Sequence, residues 1–196
     1  MRSIDLWTMK RNARKAGLRV VGNFLIASYT RDVISGFAID PAPSSIYVWT
    51  FALPVYDGLP HLHMSLGQRV ACPEDPKDFF RGTHEAHLAM LEGVRTAADL
   101  LMYVEEAGFE GDYCQWVKYL STIRLGDFPA ADAALENLLA LPVSSAIRGR
   151  LDRMLEAIGR GGESGARQLL QEWSMQTTRL MGGSSTFAWS QDSTSA

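Results

Sequence analysis

The sequence predicts an α+β fold, with an N-terminal helix and a small antiparallel sheet followed by about six helices in antiparallel hairpins. Three observations carry this expectation. Residues 18–66 are dense in β-branched and aromatic side chains and contain an Asp57-Gly58 turn signal. Residues 83–180 instead place apolar side chains at helical spacing, punctuated by Gly108, Gly126, Pro129 and Pro142. Between them, residues 71–82 hold two prolines and mixed charges, the composition of a connecting loop. The predicted organisation is therefore helix plus sheet over 1–70, a loop over 71–82, and a helical region over 83–181 packed with the sheet as one body. A Gly/Ser/Thr-rich tail over 182–196 reads as disordered.

Each element has its own signal. Ile4, Trp7, Ala13 and Ala16 sit near helical spacing, which predicts an amphipathic helix on the sheet with its lysines and arginines in solvent, ended by Gly17. Residues 18–29 and 33–39 read as two strands. After Pro43, Ile46, Val48, Thr50 and Ala52 alternate with Tyr47, Trp49, Phe51 and Leu53, so both faces are largely apolar and the strand is expected in the centre of the sheet. Asp57-Gly58 predicts a hairpin into a strand with Leu62, Met64 and Leu66 on the core face and His61, His63 and Ser65 on the other.

Charge is segregated along the chain. Arg2, Lys10, Arg11, Arg14, Lys15 and Arg19 against Asp5 give residues 1–19 a charge of +5, and the chain total of −3 leaves −8 for the remainder. An acidic body of this kind suits a basic protein partner and argues against a large nucleic-acid surface. The basic N-terminal helix alone suits an anionic surface. Cys72 and Cys114 match neither a disulfide framework nor a metal-binding pair and read as reduced thiols. No apolar run is long enough to span a bilayer or serve as a secretory signal, so the expected location is the cytoplasm.

All four histidines fall between positions 61 and 87, as His61/His63 at i, i+2 on the expected strand and His84/His87 at i, i+3 on a helix. Either spacing can aim two imidazoles at one ion, so these four are the candidate metal ligands, with zinc the candidate cofactor and Glu85 an added ligand or base. The motif is not His-Glu-x-x-His. Gly-Arg-Gly-Gly at 159–162 lacks the lysine and hydroxyl residue of a phosphate loop, and no nucleophile elbow is present.

In the helical region Leu120, Ile123, Gly126, Ala131 and Leu135 recur thirty-five residues later as Leu155, Ile158, Gly161, Ala166 and Leu170. The stretch Leu125-Gly126-Asp127-Phe128-Pro129-Ala130-Ala131, continued through Leu135 to Pro142, resembles the second half of a tetratricopeptide repeat, whereas residues 116–124 do not carry that family's aromatic and small residues in register. The resemblance implies stacked helical hairpins that bind a protein. Trp49, Trp116, Phe187 and Trp189 are the candidate partner contacts. The expected function is a non-enzymatic protein–protein interaction module, either an adaptor or, by analogy with small cytosolic bacterial α+β proteins, a toxin-neutralising immunity-type protein. The alternative is a metal-dependent hydrolase built on the four histidines.

Overall fold

A computed structural model describes residues 6–42, 45–58, 61–71 and 83–181. Residues 72–82 of the expected loop, with Cys72, and the expected tail at 182–196 lie outside the described residues.

The sheet is a five-stranded antiparallel meander in the order β1 (Arg19–Val21), β2 (Phe24–Tyr29), β3 (Val33–Ala42), β4 (Ser45–Pro54) and β5 (Arg69–Val70). The segment expected as one strand over 18–29 is two, because the chain turns at Gly22-Asn23 and sets Val21 opposite Phe24. The tight hairpin expected at Asp57-Gly58 is replaced by a longer connection from β4 to β5. The chain rejoins β4 only from Leu66 onward, where the Leu66 and Gln68 carbonyls accept from the Ala52 and Thr50 amides at 3.3 and 2.9 Å before β5 pairs with Val48 and Trp49, so His61 and His63 lie in a loop and share no strand face.

Among the described residues, six helices accompany the sheet: α1 (Leu6–Lys15), α2 (Thr83–Gly93), α3 (Ala97–Glu106), α4 (Asp112–Leu125), α5 (Phe128–Leu139) and α6 (Ser145–Leu180). Because strand side chains alternate, Leu25, Phe37, Ile39, Ile46, Val48 and Val70 face α1 and α2, where Met9, Ala13 and Leu91 meet them. Ile26, Ile34, Ala38, Phe51 and Leu53 face the opposite way and join the core built with α3 to α6. With helices on both sides, β3 and β4 are apolar on both faces, as expected for central strands.

Two local features adjust this frame. A register shift between Ile26 and Ser28 leaves Ala27 without an opposite residue, so Tyr29 pairs with Ile34 on the α3–α6 side and its hydroxyl reaches Thr178 Oγ1 at 2.8 Å. On α1 the residues that turn inward are Met9 and Ala13, one helical turn apart. Trp7, expected on the apolar stripe, is 63% exposed, because two residues round a helix is roughly half a turn.

The helices carry local caps. Thr96 and Asp99 form a capping box at the start of α3, and Asp127 caps α5 with Pro129 in its first turn. At Gly162 (φ 57°, ψ −143°) the long α6 reverses direction, so the region after the sheet contains six helical segments. The reversal is visible in the contacts: a Cβ on Gly165 would lie 2.2 Å from the Ala157 carbonyl oxygen, and the Arg153 guanidinium stands 5.6 Å over the Trp173 ring. In a continuous helix residues eight apart would be about 12 Å apart. The thirty-five-residue echo places Leu120, Ile123 and Ala131 in the core, and later Ala166 and Leu170, but Leu155 is 40% exposed. No described helix is long and apolar enough to cross a membrane.

The φ/ψ pair at Gly162 is one that L side chains avoid. Gly162→Ala is therefore expected to destabilise the protein by about 1–3 kcal/mol. Gly161→Ala, where an added Cβ meets open space, should be neutral or stabilising by up to about 1 kcal/mol. Urea denaturation of the two variants checks the sign difference.

Candidate functional site

β4 ends in an apolar run, Ala52-Leu53-Pro54-Val55-Tyr56, that is buried throughout and carries the chain directly into Asp57, whose side chain is also 0% exposed. A carboxylate in that position requires donors, and three helical side chains supply them. Tyr113 Oη donates to Oδ2 at 2.7 Å, Trp116 Nε1 to Oδ1 at 2.5 Å, and Arg150 Nη1 to Oδ1 at 2.5 Å and to the Asp57 carbonyl at 3.2 Å. Tyr113 and Trp116 stand one turn apart on α4, and Arg150 comes from the first half of α6. One carboxylate thus joins the end of the central strand to two helices.

Apolar and aromatic packing seals this centre. Gly58 (φ +66°) has Trp173 so close that a Cβ would lie 2.8 Å from its ring, and Trp173 lies 6.1 Å from Trp116, centroid to centroid. The Tyr56 hydroxyl meets Ser121 Oγ at 2.8 Å, while Arg124 pairs with Asp32 at 2.8 Å and lies over the Tyr56 ring. Burial pushes the Asp57 carboxyl upward, opposed by Arg150 and by the Trp116 and Tyr113 donors. Burial and the neighbouring Asp57 raise the Tyr113 hydroxyl well above its ordinary range. With both carboxylate oxygens engaged and its own side chain fully buried, Asp57 clamps the sheet to the helices.

The histidines occupy varied surroundings. His63 packs edge-on against Tyr113 at 4.6 Å, and burial, with Arg150 and His61 nearby, holds its imidazole down at about 4. His61 is exposed in the same loop, and His87 is half-buried on α2. The side chain of His84 lies outside the described residues. Among the described residues, no group of three or more His, Cys, Asp or Glu side chains could hold a metal ion. Glu85 is exposed on α2.

Of the candidate partner contacts, Trp116 is corrected: it is 0% exposed and committed to Asp57, so its ring is closed to a partner. Trp49 is half-buried on β4, opposite Ala38 and Arg69. Phe187 and Trp189 lie outside the described residues. Cys114 is buried, with Sγ 3.0 Å from the Phe109 carbonyl.

A surface feature that the sequence did not single out lies between α2 and α3. An open groove of about 340 Å³ is bordered by Met90 and Gly93 of α2, by Asp99, Met102 and Glu106 of α3, and by Gln68 just before β5. Met90 and Met102 are 40% and 58% exposed. Asp99, Met102 and Glu106 follow one another at i, i+3 and i+7, so a single stripe of α3 presents acid, thioether and acid to the groove. Desolvation pushes the Asp99 carboxyl upward, but hydrogen bonds from Thr96 and Arg95 together outweigh it and hold the group below its ordinary value.

Two outcomes test the buried centre. Asp57→Ala, which leaves the Arg150 guanidinium buried without its partner, is expected to cost about 3–5 kcal/mol in chemical denaturation. The imidazole of His63 is held below its unfolded value of 6.5, so the unfolded chain binds more protons between about 4 and 6.5 and stability must fall as pH falls through that window. His63→Phe keeps a ring against Tyr113 and removes the titration. The stability gap between wild type and this variant should therefore shift by about 1–3 kcal/mol against the wild type from pH 7 to pH 4. A gap independent of pH would place the imidazole in solvent. Compared with family models, with curated proteins and with solved structures, the chain matches none.

Proposed function

We propose that this protein is a non-enzymatic protein–protein interaction module that acts in the cytoplasm as an adaptor or toxin-neutralising immunity-type protein, and that the groove between α2 and α3 receives its partner. The observation that carries this is the pairing of two exposed methionines with Asp99 and Glu106 along the groove. Methionine is unbranched and polarisable and adapts to varied apolar partners. Carboxylates beside it select cationic neighbours and speed encounter with a basic surface. The partner is therefore a protein presenting an apolar side chain flanked by lysine or arginine. The acidic remainder of the chain works in the same direction.

The buried centre at Asp57 supports the same view from the other side. Its donors and acceptors satisfy one another inside the core, so its chemistry is spent on holding the helices in place. A rigid groove loses less conformational entropy on binding than a mobile one.

Immobilised wild-type protein should retain a specific basic protein from lysate of its native cells, and Met102→Glu should retain at least tenfold less. That loss corresponds to about 1.4 kcal/mol, a moderate hot-spot effect. Because Met102 is exposed, the substitution should leave the unfolding midpoint unchanged. Capture indifferent to Met102→Glu, or no specific partner at all, would overturn the proposal.

A further inference from the structure

The outer face of α1 points away from the sheet and lines no part of the groove. The helix is pinned from below by Met9 and Ala13, both 0% exposed, and from the side by Lys10 Nζ, which donates to Asn23 Oδ1 at 2.9 Å. Facing outward are Trp7, Arg11, Arg14 and Lys15, all exposed. These positions lie at i, i+4, i+7 and i+8, one stripe about 12 Å long. The Arg11 guanidinium stands 4.7 Å over the Trp7 ring, joining indole and cation in one patch. The helix Leu6–Lys15 contains no acidic residue.

We propose that this stripe is a contact surface for an anionic phospholipid bilayer. An indole that is 63% exposed is expensive in bulk water and is favoured at the level of lipid headgroups, with one end apolar and the other wet. Three cations beside it are drawn to acidic headgroups, and the helix lies flat on the body with the stripe outermost. Nucleic acid fits less well, since it calls for a wider basic face and the chain beyond residue 19 carries −8. The fold also separates the charges. α1 packs on β1 at one sheet edge, while Gln68 of the acidic groove lies beside β5 at the other.

The test is co-sedimentation of the full chain with phosphatidylcholine vesicles, with and without phosphatidylserine. Pelleting is expected only with phosphatidylserine, at low salt, and is abolished at high salt. Each cation near such a surface is worth about a fivefold change in partition, so Arg11→Ala/Arg14→Ala should lower it about 25-fold. Trp7→Ala should also weaken it, and circular dichroism of these surface variants should match the wild type. Met102→Glu should pellet like the wild type, which separates this proposal from the groove's role. Equal pelleting with phosphatidylcholine alone, no pelleting at low salt, or an unaffected Trp7→Ala would overturn it. Salt-sensitive binding to duplex DNA without vesicle binding would instead make the stripe a nucleic-acid contact.

Discussion

A carboxylate with no exposed surface holds the halves of this protein together. Asp57 stands where the central strand β4 runs out, and its oxygens accept from Tyr113, Trp116 and Arg150. Such a group is not a large source of net stability, because removing a carboxylate and a guanidinium from water costs about as much as their attraction returns. What it contributes is uniqueness. Any other arrangement of α4 and α6 on the sheet would leave a buried charge without a partner, so the polar centre selects one packing from the many that apolar contact alone would allow.

The consequences extend outward. Trp116, held by Asp57, lies tilted against Trp173, and Trp173 closes on Gly58, so the second half of α6 is drawn to the same point as the first. Only the reversal at Gly162 lets one continuous segment do both. Tyr113 in turn offers its ring edge to His63, which anchors the loop leaving Asp57. That loop leads to Gln68 and β5, the border of the groove. The proposed docking surface is thus connected to the buried centre through a short chain of contacts, with the proposed membrane-facing helix at the far edge of the sheet.

Much of the architecture was legible because it rests on local rules. Gly126 and Pro129, readable as punctuation of the helical region, do end α4 and open α5. The two-faced apolar alternation of residues 46–53 correctly implied a strand covered on both sides. Local rules failed where a long-range partner outbid them. Asp57-Gly58 is a strong hairpin signal in isolation, yet Asp57 is drawn into the core by residues 56 to 93 positions away, and the expected strand after it is lost. Trp7 was misplaced for a simpler reason: Met9 and Ala13 make a better inward pair one turn apart.

The sequence alone determined the fold class, the charge segregation between residues 1–19 and the rest, and that no familiar catalytic motif is written in it. These depend on periodicity, capping and composition, which act over a few residues or over the whole chain. Only the tertiary structure decided that Trp116 is core rather than surface, that His61 and His63 do not share a strand face, and that Met90, Met102, Asp99 and Glu106 border one groove. The physical reason is the same in each case. Whether a side chain meets water, a partner or another part of its own chain depends on which distant segments pack beside it, and spacing along the sequence does not encode that distance.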